Sequence, residues 1–397
     1  MTNIAQTRYL TSSRMDLSSV FMPLQFGGQY PETGYKVLDG ADLNTLFCKN
    51  YTDVSANKTS LLLSDGQDLS DVFEKRHVVG YSSYETTNRA IRVVYPLSPT
   101  EIYIGGDIGT FGKWNGTTTI TDINGIATGA NDAVRAIYAR DASNVYVGGL
   151  FTSVNSNNNM AYLAKYNGTS FSPVGSPTLN NYILAMSALD PSNVYIGGNF
   201  TNIGIRISIL NTYLNTFTPL ISDVSLNNNV AAIFALDPSN VYIGGDFTNA
   251  ENIGSYLTKW DGENFNKLGN NNFNNNVRAI YALDSSHVYI GGLFTQYGSN
   301  TNMNKIAMWD GTNMIALSNG ITDEIRTIYA LDEDHVYIGG IFGHIKMWNG
   351  SSFTQLSGGA ALGPTNVLAL NMVQGNKSTL YLGGAVGTSR GVQKWTT

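Results

Sequence analysis

The sequence predicts an all-β fold: a seven-bladed β-propeller of four-stranded blades, preceded by a small extended N-terminal anchor with short helical turns. Three observations predict it. First, a strand-like phrase ending in Gly-Gly occurs seven times. Its first glycines are Gly105, Gly148, Gly197, Gly244, Gly291, Gly339 and Gly383, spaced by 43, 49, 47, 47, 48 and 44 residues. Second, each unit repeats the same order of alternating apolar runs and turn signals. Third, only 13% of the 397 residues are charged while glycine reaches 42. A chain so poor in Lys and Glu cannot carry much exposed helix, because those residues normally build helix surfaces.

The fifth unit shows the internal order. Val277 to Leu283 (VRAIYAL) alternates apolar and other residues, and Asp284-Ser285-Ser286 makes a turn. HVYIGGLF follows, then a polar loop, KIAMW, the dipeptide Asp310-Gly311, and NMIAL. Asp before Pro-Ser or Ser-Ser, as at Asp190-Pro191 and Asp237-Pro238, favours a type I turn, since the carboxylate caps it and Pro presets φ. Asn-Gly or Asp-Gly after an aromatic, as in Trp114-Asn115-Gly116, Tyr166-Asn167-Gly168, Trp260-Asp261-Gly262 and Trp348-Asn349-Gly350, is a strong hairpin signal. Four strands in each repeat indicate a propeller, whereas solenoid repeats rarely carry three turns within a unit. The last unit ends with VQKWTT, Val392 to Thr397, which matches a third strand. Residues 76–87, which include HVVGYSSYE from His77 to Glu85, are therefore expected to supply the missing fourth strand and latch the ring. The resulting division is an anchor at 1–75 and a propeller at 76–397.

The anchor has its own repeat. DLSSVF, DLNTLF and DLSDVF begin at Asp16, Asp42 and Asp68, 26 residues apart. Each places Leu and Phe four apart: Leu17 and Phe21, Leu43 and Phe47, Leu69 and Phe73. That spacing puts both side chains on one face of a short helix, with Asp suited to the N-cap. Three such turns cannot bury a core, so they read as docking elements that pack on another surface.

Composition excludes several function classes. A net charge of -6 and a pI near 5.2 argue against nucleic-acid binding, which needs a basic face. No apolar run is long enough for a transmembrane helix, so membrane insertion is not expected. Met1 to Ser19 lacks an apolar stretch, so a secretory signal is not expected either. Cys48 is the only cysteine, which removes intrachain disulfides and Cys-based zinc sites and leaves the compartment open.

Among candidate chemical groups, the glycine pairs fit close strand approach better than phosphate binding. Asp141, Asp190, Asp237, Asp284 and Asp332 recur at one turn position, which marks architecture, since catalysis needs one asymmetric constellation. Asp107 and Asp246 follow Gly-Gly in only two blades and are the less repetitive acids. His287 and His335 stand where other units have Asn, as turn residues. No cofactor, metal or enzymatic activity is expected. Arg92, Arg135, Arg278 and Arg326 align in the first strand, which should line the central channel. They form a candidate anion site, for example for a carboxylate-bearing sugar, with bonding to turn acids and carbonyls as the structural alternative. Trp114, Tyr166, Trp260, Trp309, Trp348 and Trp395 align as inter-blade packing, with sugar stacking as the alternative. The loops after Gly-Gly vary in length and are rich in Asn, Ser and Tyr. Asn157, Tyr162, Asn252, Tyr256, Tyr297 and Asn300 are their candidate recognition residues. The sequons at Asn115 and Asn199 are expected to be incidental.

The YIGGxFT core resembles bacterial and fungal repeat families built on YVGGNFT phrases: short propeller repeats of large bacterial surface proteins, and the fungal cortical-marker type. That resemblance covers residues 88–397 and implies the fold. The DLSxVF repeats resemble phrases in virion structural proteins of large DNA viruses and tailed phages, where they precede a variable exposed domain. Together the resemblances imply a non-enzymatic virion surface or appendage protein. Its N-terminal repeats would join other virion proteins, and its propeller would face a host glycan or protein, with a homo-oligomer as a further expectation. The alternative is a secreted or cell-surface bacterial adhesin or carbohydrate-binding or carbohydrate-active propeller, located outside the cell.

Overall fold

The computed structural model describes residues 90–396 except 108, 117–119, 123–128, 221–224, 249–252, 319, 357–365, 374–378 and 387–388, together with the strands Phe21–Pro23, Tyr35–Val37 and Gly80–Thr86. The chain divides into two compact units, Met1–Val79 with Thr397, and Gly80–Thr396.

The larger unit is a seven-bladed propeller. Among the described residues it contains seven four-stranded antiparallel sheets, six of them built from consecutive strands. The fifth blade runs Val277–Asp284, His287–Gly292, Ile306–Trp309 and Met314–Ala316, following the order read from its sequence. The first strands of all seven blades surround a central channel of about 830 Å³. The seventh sheet differs in connectivity. Val367–Met372, Thr379–Val386 and Ser389–Thr396 are completed by Gly80–Thr86, which pairs antiparallel with Ser389–Thr396 from Gly80 opposite Thr396 to Thr86 opposite Arg390. The ring therefore closes with a strand from its own N-terminal end, and the unmatched edge of that sheet is covered.

Chemistry recurs with the geometry. In every second strand the residues before Gly-Gly are buried, as in Val288, Tyr289 and Ile290, which are 0%, 1% and 0% exposed. The first glycine faces the opening residue of the next blade. A Cβ built on Gly291 would lie 2.6 Å from Ile325 Cγ2, and one on Gly383 would lie 2.6 Å from Ile91 Cγ2. The second glycine lies against its own blade's first strand, where the register shifts between Val277 and Ala279 and at the equivalent place in the other blades. The turn glycines Gly116, Gly168, Gly262, Gly311 and Gly350 all have positive φ, as the Asn-Gly and Asp-Gly signals require.

The turn acids also serve as expected. Asp284 Oδ1 accepts from Ser286 N at 2.7 Å and contacts His287 Nδ1 at 3.0 Å, and Asp332 contacts His335 Nδ1 at 2.7 Å. Asn144, Asn193 and Asn240 donate to Asp141, Asp190 and Asp237 at the same position.

In the smaller unit, Phe21–Pro23 pairs with Tyr35–Val37, Phe21 standing opposite Val37. Phe21 was expected to close a helical turn and instead opens a strand. The reason is local, because Pro23 disfavours the α conformation at Met22 and so pushes the chain towards extended geometry. Leu17, Leu43, Phe47, Leu69 and Phe73 lie outside the described residues.

The glycine contacts predict a specific fragility. Gly244→Ala places a methyl against Val277 of the next blade, an overpacking expected to destabilise by about 1–3 kcal/mol. Urea unfolding should show a lower midpoint for this variant, whereas Ala at the solvent side of a loop should leave it unchanged.

Candidate functional site

The site begins with strand direction. The register of the first two strands sets Val134 opposite Gly149, so the second residue of each first strand and the loop after Gly-Gly lie at the same end of the sheet. The arginine layer and the variable loops consequently share one face of the propeller.

Three of the four arginines are neutralised by acids. Arg92 forks onto Asp107 of its own blade through Nε and Nη2, the latter donating to Oδ2 at 3.1 Å. Arg278 Nη1 lies 3.2 Å from Asp246 Oδ1 of the preceding blade. Arg326 Nε lies 2.8 Å from Glu324 Oε1, and its Nη2 donates to Oε2 at 2.8 Å. Glu324 is only 6% exposed and also stands 3.9 Å from Arg278 Nε, so it lies between two cations. Asp107 and Asp246, the asymmetric acids of the sequence, thus serve as counter-ions. Glu324 escapes the sequence reading although it is the one charged residue at its repeat position, where the other blades carry Ala90, Ala133, Tyr182, Asn229, Asn276 and Asn366.

Arg135 differs. Among the described residues it has no ion-pair or hydrogen-bond partner; its Nε is buried and unbonded, as are those of Arg278 and Arg326, but those two face a carboxylate. Burial, reinforced by the positive charges of Arg92 and Arg326 and opposed by Asp107 and Asp132, pulls its guanidinium down to about 10.

Deeper in the channel, one position along each first strand carries Tyr95, Tyr138, Phe234, Tyr281 and Tyr329, with Ser187 and Asn371 completing the layer. Tyr95 meets Tyr138 edge-on at 6.1 Å, and Tyr281 lies 4.8 Å from Phe234 and 4.9 Å from Tyr329 between ring centroids. The layer also ties neighbours together. Tyr95 OH donates to Ala139 O at 3.1 Å, Ser187 Oγ accepts from Ala235 N at 2.9 Å, and Asn371 Nδ2 donates to Val94 O at 3.2 Å.

The aligned tryptophans are structural. Trp114, Tyr166, Trp260, Trp348 and Trp395 are at most 8% exposed. Trp309 is half-buried, with Met314 as its cross-strand neighbour, and Trp260 and Trp348 each lie about 5 Å from a phenylalanine ring.

The loops are more constrained than their composition implies. Asn131, Asn180, Asn227 and Asn274 each clamp the Thr of the GGxFT phrase 21 residues later. Asn274 accepts from Thr295 N and donates to Thr295 Oγ1, both at 2.8 Å. Tyr162 and Tyr256 occupy a left-handed position, φ 64° and 67°, where their N–H groups donate to Phe151 O and Phe247 O. Tyr297, expected as a recognition residue, is instead 8% exposed, donates to Leu268 O at 2.9 Å and packs on Phe273, so it supports the loop base from inside. Asn157 accepts from Asn159 N at 2.9 Å. Asn300 is exposed, with Oδ1 accepting from Asn302 N. Asn252 lies outside the described residues. Among the described residues no three His, Cys, Asp or Glu side chains gather as a metal site would.

Comparison with known proteins supports the architecture. A family model described as the Rax2 C-terminal beta propeller domain matches residues 115–278. Solved propellers align over most of the chain. The WD40 repeats of RRP9 match with a TM-score of 0.57 at 11% identity, covering 80% of this chain and 97% of that one. YCF48 bound to D1 peptide matches with a TM-score of 0.54 at 11% identity, covering 81% and 98%. The extracellular domain of the putative hybrid two component system BT4673 from B. thetaiotaomicron reaches 0.58 at 12% identity, covering 79% of this chain and 39% of that one. At these identities the likeness is one of fold. No curated protein matches the chain.

The turn acids predict a pH response. Backbone N–H groups of Asn264 and Glu263 hold the Asp261 carboxyl low, and those of Asn313 and Thr312 hold Asp310 low. At Asp284 burial pushes upward, but bonds from His287 and Ser286 outweigh it, as Asn144 and Ser143 do at Asp141. Carboxyls depressed in the folded state contribute stability that is complete above their unfolded pKa, about 3.9, and is lost as pH falls through the lower folded values. The urea midpoint should therefore hold steady from pH 7 to 5 and drop below about pH 4. The drop should be shallower in Asp141→Asn/Asp284→Asn.

Proposed function

We propose that this chain is a non-enzymatic virion surface protein whose N-terminal repeats dock onto other particle proteins and whose propeller is displayed outward for host attachment or decoration. One observation carries the reading. The repeated groups best suited to chemistry are committed to architecture: glycines to blade contact, acids to turns, and most of the aligned aromatics to the core. What varies from blade to blade lies on one face, in the loops after Gly-Gly and the arginine mouth. A rigid disc with one variable face suits presentation to a partner better than turnover of a substrate. The three 26-residue DLxxxF repeats give the same chain a separate, periodic element suited to repeated docking contacts on a particle. YCF48 bound to D1 peptide offers a precedent for a propeller of this shape as a binding scaffold.

The test is incorporation. A chain lacking residues 1–75 should fold, with the far-UV circular dichroism of an all-β protein, yet be absent from purified particles. Phe47→Ala/Phe73→Ala in the full chain should reduce its copy number per particle. Incorporation of the truncated chain at the full-length level contradicts the docking role.

A further inference from the structure

The channel mouth holds four guanidinium groups and three carboxylates arranged as their partners. Arg92 is matched by Asp107, Arg278 by Asp246 and Arg326 by Glu324. Arg135 lines the same channel with no partner among the described residues. A fourth acid, Asp132, stands exposed on the rim, where its Oδ1 accepts from Ala133 N at 2.6 Å. Arg135 is the one of the four with no carboxylate paired to it among the described residues, and a partly desolvated guanidinium is costly to leave unmatched.

We propose that Arg135 is the anchor of a carboxylate-binding site at the mouth of the propeller channel. The planar guanidinium fork matches a planar carboxylate in a two-bond geometry that an ammonium cannot reproduce. A monoanion suits the site better than a phosphate dianion, because a second negative charge would face Asp107 and Glu324. The Tyr95 and Tyr138 rings deeper in the channel offer an apolar surface for whatever carries the carboxylate. Two sources share this chemistry, an acidic sugar and the free C-terminal end of a peptide. The inference rests on the channel alone and stands or falls independently of particle docking.

The test uses the full chain titrated with sodium glucuronate, with glucose as its neutral control, and with an N-acetylated tripeptide of alanine as the free acid and as the amide. Binding is followed by isothermal titration and by chemical-shift changes. At least one acid should bind while its neutral counterpart does not, and the acid that binds identifies the source. Arg135→Gln should weaken that binding by about tenfold or more, the loss of a charge-assisted contact. Arg135→Lys should recover only part of it. Because Arg135 holds no described partner, the Gln variant should unfold at a denaturant midpoint no lower than that of the unaltered chain, which separates lost binding from lost folding. If neither acid binds, or if Arg135→Gln binds as tightly as the unaltered chain, the proposal is overturned.

Discussion

The contact on which the rest of this structure depends is between a glycine and a β-branched side chain. In each blade the first glycine of the Gly-Gly pair removes the one carbon that would collide with the Val or Ile opening the next blade. Val134, Val230, Val277 and Val367, and Ile183, Ile325 and Ile91, fill that space in turn, all of them at most 2% exposed. The contact between Gly383 and Ile91 brings the seventh blade onto the first. Dense packing of this kind is sensitive to a single methyl, and seven repetitions make it the determinant of blade spacing.

From that constraint follow the roles of the remaining side chains. First strands that crowd the axis present free edges to one another, and Tyr95, Ser187, Thr327 and Asn371 satisfy backbone groups across those gaps. Strands that begin at one face bring their second residues together at the channel mouth, so four arginines separated widely in sequence become neighbours. Their carboxylate partners come from the same blade, the preceding blade and the start of a first strand. The mouth is thus an asymmetric feature on a symmetric frame.

Much of the architecture was legible in the sequence because each blade states it again. The Gly-Gly spacing, the Asp turns with His287 and His335 in the Asn position, and a closing strand drawn from the N-terminal side all follow from repetition and edge pairing. The site was less legible, for physical reasons. The arginine layer could be aligned, but pairing through Asp107, Asp246 and Glu324 follows no fixed offset, so which guanidinium stays unmatched depends on three-dimensional neighbours. In loops rich in Asn and Tyr, composition does not distinguish a ring that turns outward from one that turns under, and Tyr297 turns under. The Asn-to-Thr clamps, such as Asn131 to Thr152, were periodic and therefore readable, but their residues have the same composition as an unconstrained polar loop. Phe21 shows the opposite case, in which a neighbouring proline overrides a helix-like spacing.

The seam between the last and first blades offers the most direct test of the account. A double-mutant cycle pairs Gly383→Ala with Ile91→Ala and follows unfolding in urea. Each single change should destabilise the fold, one by overfilling the contact and the other by emptying it. Combined, the added methyl should occupy part of the space that Ile91 vacates. The double variant is then expected to be more stable than the sum of the single effects predicts, by about 1 kcal/mol or more. Strict additivity would contradict the claim that glycine and its β-branched partner act as one interlocking unit.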